Sequence, residues 1–113
     1  MKYPFILSQE KLTDLSLLLE LKILPEIIYF EGHFEGMPVL AGVVQIGWVL
    51  HYAALFLEVD KSKFQQIVQM KFTQVIRPDM VVSLSIELKG DALTFKYFSG
   101  DVVYAVGKLK SSK

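Results

Sequence analysis

The sequence holds two histidines, His33 and His51, and these are the side chains whose ordinary titration lies nearest neutral pH. General acid or base work is therefore looked for there first. His33 follows a glycine in the run Gly32-His33-Phe34-Glu35-Gly36-Met37-Pro38-Val39-Leu40-Ala41-Gly42, the densest unusual stretch of the chain. A loop position beside glycine can present an imidazole to a substrate. A histidine taken alone is more commonly structural than catalytic, so His33 needs support from its surroundings. The chain has no cysteine, which excludes disulfides, thiolate nucleophiles and cysteine-ligated zinc. Metal-ligand spacing, a phosphate-cradling glycine loop and a serine-nucleophile motif are all missing from the sequence, so neither a metal nor a nucleotide cofactor is expected.

The elements that must position these residues can be read from periodicity. Residues 43–57, Val-Val-Gln-Ile-Gly-Trp-Val-Leu-His-Tyr-Ala-Ala-Leu-Phe-Leu, are apolar on nearly every face, where a surface helix would show one polar side. They predict a core helix, roughly 22 Å long at the usual rise per residue. The run is shorter than the ~20 residues a membrane span needs and is interrupted by Gln45, Gly47 and His51. Gly42, at its start, allows other backbone to approach closely.

Beyond Asp60-Lys61-Ser62-Lys63 the period changes to two. Val68, Met70 and Phe72 alternate with polar residues and predict a half-buried strand; Arg77-Pro78-Asp79 makes a turn; Val82, Leu84, Ile86 and Leu88 predict a second strand. Gly90-Asp91 and Ser99-Gly100-Asp101 are tight-turn signals flanking strands at 93–97 and 102–110, so the C-terminal half reads as an antiparallel meander. Before the helix, residues 17–24 and 27–30 look extended, separated by Pro25. The first sixteen residues are ambiguous, with a short helix around 8–15 as the expectation. One domain spanning 1–113 is expected, of α+β class: a curved antiparallel sheet wrapped around one apolar helix.

Twelve basic and twelve acidic residues balance, so no net charge draws the chain to nucleic acid. Hydrophobic residues reach 52%, more than a small monomer readily buries, which favours an oligomer. The opening Met1-Lys2-Tyr3-Pro4-Phe5-Ile6-Leu7 lacks the length and the small-residue cleavage site of a secretion signal, making the cytoplasm the default compartment. Met37, Trp48, Phe56, Met70 and Phe72 read more simply as packing or channel wall than as a cofactor box. Lys61, Lys63, Lys71 and Arg77 could attract an acidic partner, although scattered lysines are usually solvated surface.

Gly32, His33, Phe34, Pro38, Val39, Gly42 and Val43 stand at the spacing of the signature of the hot-dog 3-hydroxyacyl-acyl-carrier-protein dehydratases, which the sequence resembles. Lys71-Phe72 and Arg77-Pro78-Asp79 resemble a second segment of that family, and the order of elements agrees over most of the chain. The run Gly42-Val43-Val44-Gln45-Ile46-Gly47-Trp48 is similar to the dehydratase-like proteins of aryl-polyene pigment clusters. The resemblance implies a hot-dog fold and a substrate carried on the phosphopantetheine arm of an acyl carrier protein, with no cofactor of the chain's own. It also implies that His33 takes a proton from the carbon beside the thioester carbonyl, and that the amides of Gly42 and Val43 at the positive helix end meet the developing enolate. Gly42 can equally be explained by the turn into the helix.

The departures bear directly on mechanism. Where the family carries Glu or Asp on the central helix, five residues after Gly42, this sequence has Gly47, which has no proton to give. Glu35 and Ala41 replace prolines of the usual motif, which alters loop rigidity more than chemistry. His51 lies one turn after Gly47, about 6 Å along the axis, and is either a substitute acid or a pocket-lining residue with satisfied nitrogens. Glu31 would point away from His33 in an extended segment. Family sites combine residues of two subunits, so an acid could also come from a non-identical partner. The resulting expectation is a homodimeric dehydratase, with a heterodimer as the alternative assembly, with catalytic His33 and His51 and a substrate site at Pro38, Gly42, Val43, Gly47 and Trp48. A non-catalytic acyl-thioester-binding or partner subunit is the alternative, with a hot-dog thioesterase as a third reading that Gly47 also disfavours.

Overall fold

Strict alternation makes the centre of the sheet. In β4 (Val81–Lys89) the side chains of Val82, Leu84 and Ile86 are buried while their neighbours are not. They stand opposite Leu21, Leu19 and Leu17 of β2 (Ser16–Lys22), all equally buried. Cross-strand pairs of large aliphatic side chains on one face pin the register, because a slip of one residue would turn the whole set to solvent. The computed structural model describes residues 2–27 and 39–111.

Six antiparallel strands lie in the order β1-β2-β4-β5-β6-β3, with β1 Phe5–Thr13, β3 Gln66–Phe72, β5 Ala92–Ser99 and β6 Val102–Lys110. Gly90 (φ 59°) and Gly100 (φ 56°) make the two hairpin turns, in the left-handed region that glycine enters without penalty. One helix, α1 (Gly42–Leu57), packs on the sheet through Trp48, Val49, Tyr52, Ala53 and Leu57. The α+β, one-helix-on-a-sheet reading is therefore met.

Three local expectations are corrected. Residues 8–15 do not form a helix: Phe5–Thr13 is the edge strand β1, paired with β2 from Phe5↔Lys22 to Thr13↔Ser16. Its one-sided pairing leaves most of its side chains in water, which is why its sequence shows no strong alternation. Strand β3 is not the neighbour of β4 in a simple meander; only β4, β5 and β6 follow one another, and β3 crosses to the far edge beside β6. Nor is β3 half-buried on one face, since Val68 and Phe72 stand about half exposed at the sheet's open edge. The extended reading of 17–24 holds as far as Lys22. That of 27–30 falls mainly outside the described residues.

The crossing from β3 to β4 is tied to the rest by backbone bonds. Leu40 N–H donates to the Ile76 carbonyl (2.7 Å), Asp79 N–H to Ile23 (2.6 Å) and Ile23 N–H to Met80 (2.8 Å). The first of these bonds holds Leu40, just before α1, beside the Arg77-Pro78-Asp79 segment, and the other two tie that segment to the residue following β2.

Candidate functional site

Gly42 opens α1 beneath an aromatic ring. A Cβ built on Gly42 would come within 2.6 Å of the Phe72 ring, closer than atoms can stand, so any larger residue would have to displace the ring. The element that comes close is therefore a side chain of β3. Helix α1 has no side-chain cap at Ala41 and no acidic residue in its first turn. The first amides to find acceptors are those of Val44 and Gln45, both on the Ala41 carbonyl (3.1 Å each). Among the described residues the N–H groups of Gly42 and Val43 have no acceptor. Free donors at the positive end of a helix are suited to a developing oxyanion.

Two hollows flank this helix start. One, of about 180 Å³, is lined by Leu40, Gly42, Gln45 and Phe72 to Val75. The other, of about 260 Å³, is lined by Tyr3, Val43, Val44, Gly47 and Trp48. Gln45 is buried between helix and sheet: its Nε2 donates to the Leu40 carbonyl (3.1 Å), its backbone carbonyl accepts from the Tyr97 hydroxyl (2.6 Å), and its Oε1 has no partner among the described residues.

Gly47 faces the second hollow with no atom within 4 Å of where a Cβ would stand. The void stands at the position where the resemblance noted in the sequence implies a carboxylic side chain. His51 does not line it. Its ring lies flat on Tyr3, with centroids 3.9 Å apart and planes 13° off parallel, and meets Tyr52 edge-on at 5.0 Å. Partial burial, and then the positive charge of Lys61, hold its pKa below the usual imidazole value. Both effects favour the neutral form of the His51 ring. Trp48 is buried and donates its indole N–H to the Lys2 carbonyl (3.1 Å), anchoring the residues before β1 across α1. Tyr52 keeps a buried hydroxyl without a described partner, and burial drives its ionisation far above the ordinary phenol range.

The structure thus brings Gly42, Val43, Gly47 and Trp48 to the first two turns of α1, Gly42 on one hollow and the other three on the second, and sets His51 behind Tyr3. His33 and Pro38 lie outside the described residues, as do Glu31, Glu35 and Met37. Tyr3, Gln45 and Phe72 were not singled out as site residues by sequence. Gln45 carried a signal, as a polar side chain inside an apolar helix; Tyr3 carried none, because its place depends on contacts with residues 45 to 49 positions away. Among the described residues no three His, Cys, Asp or Glu side chains gather as a metal site would require, and no helix is long and apolar enough to cross a membrane.

Comparison with known proteins bears on the family and the fold. The family model described as ApeI-like, ApeI dehydratase, matches residues 8–108. A 3-hydroxyacyl-acyl-carrier-protein dehydratase, FabZ, of Chlamydia trachomatis is 30% identical over 96% of this chain and 82% of its own length. The solved dehydratase heterocomplex ApeI:P from Xenorhabdus doucetiae contains a chain 31% identical to this one, with a TM-score of 0.86 and full coverage of both. An uncharacterised protein from Erwinia carotovora is 32% identical with a TM-score of 0.78, covering 96% of this chain and 95% of its own.

Proposed function

The chain belongs to the ApeI-like dehydratase family, and on that premise we propose that it removes water from a 3-hydroxyacyl thioester presented by an acyl carrier protein. The observation that carries the reading is the start of α1, where the amides of Gly42 and Val43, without acceptors among the described residues, stand between two hollows. The thioester oxygen binds at these amides. His33 removes a proton from the adjacent carbon, the electron pair passes through the enolate, and the C–O bond at the next carbon breaks. The hydroxyl leaves with a proton as water, and a 2-enoyl thioester remains. No metal is needed, because the thioester acidifies the proton to be removed, and the phosphopantetheine arm arrives with the carrier.

Apolar Ile67, Val68, Phe72 and Val75 are exposed along and just beyond β3, an edge strand with unpaired backbone groups. Such an edge pairs readily with another copy, and a homodimer of cytoplasmic residence is the assembly we propose. The test is incubation of the purified protein with 3-hydroxyacyl thioesters on a carrier protein, following enoyl formation by absorbance and mass. His33→Ala is expected to lower turnover by about 10³-fold, the scale of a lost general base.

One observation favours a second reading, a partner subunit that binds the acyl group without turning it over: the helix offers Gly47 where an acid is needed. The Xenorhabdus relative was solved as a heterocomplex. Carrier-bound substrate that binds and returns unchanged would select this reading.

A further inference from the structure

Expelling a hydroxyl group requires a proton, because hydroxide is a poor leaving group. Of the five described residues lining the hollow beside Gly47, only Tyr3 carries an ionisable group; Val43, Val44 and Gly47 are apolar, and the Trp48 indole N–H is already given to the Lys2 carbonyl. Two contacts from α1 fix Tyr3 there. The Trp48 bond holds the backbone of the residue before it, and His51 holds its ring face to face at 3.9 Å. Its hydroxyl has no hydrogen-bond partner among the described residues. Gly47 itself puts no side chain there, and apart from its chain neighbours and the local helix backbone no described atom lies within 4 Å of a Cβ at that position.

We propose that Tyr3 is the catalytic acid of this chain, giving its phenolic proton to the departing hydroxyl from the hollow that Gly47 leaves open. The role rests on the dehydratase reading above and completes it. As the C–O bond breaks, the oxygen takes its electron pair and the Tyr3 proton and leaves as water; the phenolate recovers a proton from solvent, while His33 returns its own to solvent. A phenol is a much stronger acid than water, so the transfer runs downhill. His51 serves as a positioning residue. Its neutral ring supplies a flat surface that keeps the phenol over the hollow, and its face-to-face contact places it behind the tyrosine.

The test compares wild type, Tyr3→Phe and Tyr3→Phe/Gly47→Glu on the same carrier-bound 3-hydroxyacyl thioester. Tyr3→Phe keeps the ring that stacks on His51 and breaks no hydrogen bond among the described residues, so it is expected to fold; circular dichroism and thermal melting check this. The expected result is a kcat lower by about 10²-fold with KM within about threefold, the signature of a lost proton donor. Gly47→Glu places a carboxyl in the hollow and is expected to restore at least a tenth of the wild-type kcat to the Tyr3→Phe protein. Tyr3→Phe turning over within about threefold of wild type overturns the role of Tyr3 and leaves the dehydratase reading standing. A loss confined to KM, or one that Gly47→Glu fails to restore in a folded protein, overturns it as well. A wild-type protein that binds substrate without turnover overturns both.

Discussion

The two sides of α1 are built on opposite terms. On the sheet side, Val49 and Ala53 are fully buried and the Tyr97 hydroxyl donates to the Gln45 carbonyl, while Trp48, equally buried, borders the hollow as well. On the other side, Val43 is 76% exposed and Gly47 stands over a hollow. One side fixes the helix and the other leaves room for a ligand. A helix apolar all round is expected to be buried all round; here part of its apolar surface is withheld from the core, as a binding wall requires.

The contrast can be broken most severely at Trp48. Trp48→Ala should empty a large volume between helix and sheet and release the Lys2 carbonyl, destabilising the fold by about 3–5 kcal/mol in chemical denaturation; a loss below about 1 kcal/mol would mean that the packed side is not packed. Gly42→Ala comes next. Its methyl would press on the Phe72 ring, itself half exposed and able to swing away, so the cost should be about 1–3 kcal/mol, with dehydration falling further than stability because the free amides are displaced. Gly47→Ala should do the reverse. With space for its methyl and a helix interior that disfavours glycine, it should gain about 0.5–1 kcal/mol in the same assay.

The smallest effect belongs to His51. Its pKa is lowered on folding, so the unfolded chain binds its proton more readily and stability rises with pH. The contribution should be complete above pH 6.5 and should fade as pH falls below that value, towards the lowered folded value. His51→Phe, which retains a flat ring, should flatten the dependence of melting temperature on pH between 7.5 and 5. An equally steep dependence in the variant would remove His51 as its source.

How far the site was legible follows from where its determinants lie along the chain. The Gly42–Gly47 run, the apolar helix and the alternation of β4, β5 and β6 are local patterns of period 3.6 or 2, and local sequence sets them. The missing helix acid could be read from the identity of one residue. Edge strand β1 could not, because a strand wet on most of its surface has no strong period and becomes a strand through its bonds to β2.

Sequence by itself determined the fold class, the glycine that opens the helix and the absence of a carboxyl at Gly47. Only the tertiary structure decided that β3 crosses to the far edge, that its Phe72 lies over Gly42, and that Tyr3 shares a hollow with Gly47 while His51 stands behind it. The physical reason is range: periodicity and turn chemistry act within a few residues, whereas Tyr3 and Phe72 reach the helix through contacts between segments about 30 to 50 residues apart. Such contacts are selected by packing of the whole sheet, and no short window of sequence records them.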